Sequence, residues 1–141
     1  MTAICVVHAE GLCIPIKSLR WFPGTCYLMR RLEWRAALAA EYNAHGQALL
    51  QGDVARAWQH LERAHIIAQP MLREHLRSHW LMLRLALRER DTAEVAGQAL
   101  RLVLVIPGNL SGRLPIGNIG RARVNAFRQM SIPSDLKKFV L

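Results

Sequence analysis

Glu41, His45, Glu62, His65, His75 and His79 are the residues of this chain whose types and spacing could do chemistry. Imidazole and carboxylate together suit borderline transition metals such as Zn²⁺ or Fe²⁺. His75 and His79 stand four apart, so a helix stacks them one turn from each other on one face. Glu62-x-x-His65 has the i, i+3 spacing used by carboxylate-bridged helical bundles. Glu41 with His45 would supply the ligands of a third helix. A di-iron bundle needs two E-x-x-H motifs and two further Glu, and the chain has a single such motif. The competing reading is a core network, in which these side chains bond to each other, to Glu41, to Tyr42 or to Trp indoles. An inward polar group is costly unless it finds such a partner.

The elements that must position these groups are helices. Residues 31–106 are rich in Ala, Leu, Arg, Glu and Gln. The spacing predicts four helices there. The first runs from about Leu32 to Gln51, before Gly52. The second is capped by Asp53 and runs to about Ala68, before Pro70. The third covers about Met71 to Glu89. The fourth is capped by Asp91 or Thr92 and ends before Pro107-Gly108. Short connections make consecutive helices antiparallel neighbours. At 100° per residue, Trp34, Leu38, Tyr42, His45 and Leu49 share the inner face of the first helix, with Glu41 at its border. His65 falls mid-stripe on the second and His75 and His79 on the stripe of the third, whereas His60 and His8 fall outside the pattern.

An offset of 38 residues aligns Tyr42 with Trp80, Leu49 with Leu87 and Asp53 with Asp91. With Ala57, Leu61 and Ala64 at packing positions, the first unit resembles a tetratricopeptide-type hairpin. The expected fold is therefore all-α: two stacked antiparallel helical hairpins followed by a Gly/Pro-rich basic arm. The expected division is an irregular extension over 1–30, the four-helix body over 31–106, and the arm over 107–141 with a short closing helix from Ser134.

Charge is concentrated in that arm. The chain carries a net +9, yet residues 31–106 set ten arginines against eight acids, whereas residues 107–141 set six cations against Asp135 alone. Gly117, Asn118 and Gly120 can take positive φ, so their amides could form a nest for a small anion, with Arg113, Arg121 and Arg123 beside it. Neither a P-loop lysine nor a β-α-β context accompanies it. The plainer expectation is an arm that lies back across the helices through Leu110, Leu114, Ile116, Ile119 and Val124. Nucleic acid is disfavoured as a partner, because the basic residues have only Phe127 and Phe139 near them for stacking.

Other classes are narrowed by what is present. The most apolar run, Leu102 to Pro107, falls well short of the roughly 18 residues a bilayer span needs. Cys5, Cys13 and Cys26 form neither a C-x-x-C pair nor a zinc knuckle. A reduced, cytoplasmic setting follows as the simplest expectation. No nucleophile stands near Glu62 and His65, and no G-x-S-x-G element is present, which points away from an enzyme.

Glu33-Trp34-Arg35, Ala39-Ala40-Glu41-Tyr42, Leu61-Glu62-Arg63-Ala64-His65-Ile66, His79-Trp80 with Met82-Leu83, and Gly112 to Arg121 carry a family resemblance. On these blocks the chain resembles a bacterial family of short helical proteins catalogued only as a domain of unknown function. The resemblance implies a fold and no activity. Members of that family typically begin near the equivalent of Met29. Residues 1–28 thus have two readings, an extension from an upstream start or a genuine N-terminal arm. The function expected from sequence is a small non-enzymatic interaction or ligand-binding module, with a protein or a small anion as partner. The runner-up is a transition-metal-binding protein using Glu41, His45, Glu62, His65, His75 and His79.

Overall fold

The computed structural model describes residues 5–7, 13–15, 23–112 and 115–140. The chain divides into two compact units, residues 1–36 and 37–141. In the first, β1 (Cys5–Val7) and β2 (Cys13–Pro15) pair antiparallel, Cys5 opposite Pro15 and Val7 opposite Cys13. The remainder of the extension expected over 1–30 lies largely outside the described residues. All other described elements are helical: α1 (Pro23–Leu50), α2 (Val54–Ala68), α3 (Leu72–Glu89), α4 (Thr92–Ser111) and α5 (Lys137–Val140).

Local chemistry sets most boundaries. The Asp53 carboxylate accepts the Arg56 amide at 2.9 Å and starts α2. Asp91 does the same for α4 through the Glu94 amide at 3.0 Å, so Asp91 rather than Thr92 is the cap. The last turn of α1 gives way at Gly52, whose φ of 74° belongs to the left-handed region.

Three boundaries differ from expectation, the smallest being that of α5, which begins at Lys137 and not at Ser134. α1 begins at Pro23, nine residues before Leu32, because a proline is favourable at a first helical position and nothing after Gly24 breaks the run. α4 continues through Pro107 to Ser111 and stops at Gly112, φ 67°. Pro107 is exposed, so water can satisfy a carbonyl that loses its partner there. The added turn carries Asn109, which the site below uses.

Within residues 37–141 the apolar core joins Ala48 of α1, Ala57, Trp58 and Leu61 of α2, and Met82, Leu85 and Ala86 of α3. The two halves related by the 38-residue offset are not equivalent in packing. Tyr42 is half-buried, while Trp80, its counterpart, is 53% exposed. No described helix is long and apolar enough to cross a membrane.

The arm lies back on the helices, with Ile119 and Val124 half-buried as expected but not Ile116 or Leu110. Ile116 is 45% exposed and Leu110, in α4, 78%. Gly117, Asn118 and Gly120 are buried, and so is Leu136 near the end of the arm. Asn118 ties the arm to itself, accepting the Gly120 amide and donating to the carbonyls of Asn125 and Arg128. Leu114 lies outside the described residues.

Candidate metal centre

Pro70 ends α2 and turns the chain so that α3 packs against it, which brings His65 opposite His75 and His79. All three imidazoles are buried, with 2–4% exposure. Their Nε2 atoms face one another: His65 to His75 at 3.0 Å and His65 to His79 at 3.1 Å. The His65 ring meets the other two edge-on, with centroids 4.8 and 4.6 Å away. Among the described residues these are the His, Cys, Asp or Glu side chains that group closely enough to hold a metal ion.

The other ring nitrogens define the protonation state. His65 Nδ1 donates to the Asn118 carbonyl at 2.9 Å, and a carbonyl can only accept. His75 Nδ1 lies 2.9 Å from Asn109 Oδ1, and His79 Nδ1 lies 2.8 Å from Gln98 Oε1. Both amide orientations are forced from outside. Asn109 Nδ2 donates to the Gln69 carbonyl, and Gln98 Nε2 donates to Glu94 and to the Gly120 carbonyl. Each Nδ1 is therefore an N–H donor. In a neutral ring that leaves Nε2 as a bare lone pair, so three acceptors converge with no donor among them.

Protonation does not relieve the conflict near neutral pH. Burial pushes the His65 imidazole well below its ordinary pKa, and the neighbouring His79 and His75 add to that. Burial, then His75, brings His79 to about 3, against a raising effect from Gln98. Burial also lowers His75, and the Arg101 guanidinium opposes a proton on all three rings. His65 Nε2 stands 3.0 Å from that of His75 and 3.1 Å from that of His79, close to the roughly 3.3 Å that a tetrahedral ion with about 2.0–2.1 Å bonds to nitrogen would require, and ligand atoms of all three lie within 4.8 Å of one another. Donation of the second ring N–H to a carbonyl or amide oxygen is the arrangement that orients metal-binding histidines.

The supporting groups come from α4 and the arm. Glu94, Gln98, Arg101 and Val105 form the buried stripe of α4. Glu94 accepts from Gln98 Nε2 at 2.8 Å, the Ala122 amide at 3.0 Å and Arg121 Nε at 3.3 Å, so its charge is matched without reaching the triad. Gly120 lets the arm close over His65. Its φ is 80°, and a Cβ there would stand 2.8 Å from His65 Cδ2.

Of the six residues whose types suggested metal ligation, the structure brings together His65, His75 and His79 and leaves the other three apart. Glu41 accepts from His60 Nδ1 at 2.8 Å and Arg63 Nε at 2.7 Å. His45 Nδ1 donates to the Ala57 carbonyl at 3.1 Å, and burial lowers its pKa. Glu62 faces Arg121 Nη1 at 3.5 Å, its carboxyl raised chiefly by burial. The groups read as an anion nest have partners inside the fold. Gly117 N–H donates to Gln69 and Gly120 N–H to Asn118. Arg121 lies 3.7 Å over the Trp58 ring and pairs with Glu62 and Glu94, while Arg123 pairs with Asp91 at 3.2 Å. Arg113 lies outside the described residues.

Sequence reasoning overlooked Gln98, Asn109 and Arg101. The signal was present for two of them. Glu94, Gln98, Arg101 and Val105 recur at helical spacing on the side of α4 that packing should make apolar. Asn109 was hidden by ending the helix at Pro107.

Residues 32–140 match the family described as Protein of unknown function (DUF3703). The chain belongs to this family. No curated protein and no solved structure matches it. The DUF3703 match takes in α2, α3, α4 and the arm, and so every residue of the triad and its supports.

Proposed function

We propose that this protein binds a transition-metal ion through Nε2 of His65, His75 and His79. The observation that carries the reading is the convergence of three lone pairs whose Nδ1 atoms are all committed as donors. A cation between them turns a mutual repulsion into three bonds. All-imidazole ligation suits Zn²⁺, Cu²⁺, Fe²⁺ or Ni²⁺ and disfavours the hard ions Mg²⁺ and Ca²⁺. The set is neutral, so a bound divalent ion keeps its full charge. Three protein ligands also leave room for an exchangeable fourth, the arrangement of reactive rather than purely structural zinc.

The test is elemental analysis of untagged protein, paired with thermal unfolding on addition of Zn²⁺. One metal per chain and a raised melting temperature are expected, because a ligand of the folded state stabilises it. Less than about 0.1 metal per chain with no response to Zn²⁺ would overturn the reading. An interaction or anion-binding role carried by the arm has less behind it, since the described donors of the nest already have protein partners.

A further inference from the structure

The triad forms one wall of a cavity of about 50 Å³. The remaining wall is mostly apolar, from Leu104, Val105, Pro115, Ala126 and Phe127, with Arg101 as its cation. Arg101 sits 7% exposed on α4. Its Nη2 donates to the carbonyls of Arg121 and Val124, which fixes the guanidinium. Its Nε and Nη1 make no bond among the described residues. Among the described residues no carboxylate lines the cavity, and Glu94 is occupied on the far side of Gln98.

From this juxtaposition we infer that the cavity takes a small monocarboxylate, such as acetate or propionate, as the fourth ligand of the metal. The inference rests on the metal reading above. A divalent ion on neutral ligands together with a fixed guanidinium makes the cavity strongly attractive to an anion. The apolar wall selects among anions. A carboxylate can offer oxygen to the metal and to Arg101 while its alkyl end meets Leu104 and Val105, whereas phosphate would press oxygens against hydrocarbon. Size agrees: a single water needs roughly 10–15 Å³, so the cavity has room for about three to five non-hydrogen atoms, the range that holds acetate and propionate.

The experiment uses the full chain loaded with Co²⁺, whose visible absorption reports its ligands. Acetate and propionate are titrated at constant ionic strength, with chloride and inorganic phosphate as comparisons. The native protein should show a saturable spectral change with the carboxylates, at concentrations where the comparison anions do little. Arg101→Gln should still take one Co²⁺ per chain yet bind acetate about tenfold more weakly, as loss of a charged hydrogen-bond donor dictates. Arg101→Lys, which keeps the charge, should recover part of that loss. Leu104→Trp should fill the cavity, retain Co²⁺ and lose the carboxylate response.

A Co²⁺-loaded protein whose spectrum ignores acetate overturns the inference and leaves the metal reading standing. So does one that responds equally to chloride, or equally in Arg101→Gln and Leu104→Trp. Failure to take up Co²⁺ at all overturns both.

Discussion

Two clusters of ionisable side chains within residues 37–141, one partly exposed and one buried, centre on groups that a sequence reader would suspect of ligation. Around Glu41, a carboxylate meets His60 at 2.8 Å and Arg63 at 2.7 Å, and Arg63 continues to Asp135 at 2.6 Å. Every acceptor there faces a donor. Around His65 the donors all point outward, to Asn118, Asn109 and Gln98, and the acceptors point at each other. The first cluster is complete as protein. The second leaves three lone pairs facing one another, which the proposed cation would match. Residue type does not separate them, since each contains histidine; the placement of the second ring nitrogen does.

The largest expected difference between them is their response to metal. At a Zn²⁺ concentration about a hundredfold above Kd, binding adds about 2.7 kcal/mol, or about 10 °C in melting temperature for a domain of this size. His79→Ala should abolish that shift. Glu41→Gln should leave it intact, because Glu41 belongs to the other cluster. A shift lost equally in both variants would break the distinction.

Next in size is the support from α4. Gln98 holds His79 in its tautomer while bonding Glu94 and the Gly120 carbonyl. Gln98→Leu should weaken Zn²⁺ affinity by roughly 10- to 100-fold without removing a ligand. Competition against a chromophoric chelator measures this directly. Unchanged affinity would mean that the rings are oriented by packing alone.

Acid should separate the clusters in the metal-free protein. His79 has a folded-state pKa of about 3 and His65 and His75 are also lowered, with Arg101 opposing protonation of each. The unfolded chain then binds more protons below about pH 6.5, so stability is whole above that pH and declines as pH falls toward 3. The slope is at most about 1.4 kcal/mol per pH unit for each histidine. Urea unfolding between pH 7 and 5 checks it, and His79→Gln should flatten the curve.

Much of this arrangement was legible in the sequence. Helical period put His65, His75 and His79 on inner faces, and Asp53 and Asp91 marked two helix starts. Phasing could not tell which inner groups meet, because Glu41, at the border of its stripe, turns to His60, a residue the period placed outside. The arm was harder still. The close approach of Gly120 to His65, which adds to the demand of its positive φ, is a contact across 55 positions of chain. Asn118 looked like part of an anion nest until its carbonyl met His65 Nδ1.

The smallest effects belong to the complete cluster. Glu41 is 13% exposed at its side chain and Arg63 34%, so their pairing is partly screened by water. Glu41→Gln keeps the shape and an acceptor oxygen, and should cost about 1 kcal/mol, with less lost at high salt. Asp135 is more exposed, and Asp135→Asn should change stability less than Glu41→Gln does. Arg63 holds the Asp135 carboxyl below its ordinary value, so whatever that pair contributes is present above about pH 4 and fades as pH falls through the lowered folded value. Chemical unfolding at low and high salt orders the two variants. A Glu41→Gln loss that is large and insensitive to salt would place Glu41 among groups that need their charge in a dry interior, and the contrast with the triad would then narrow to metal binding alone.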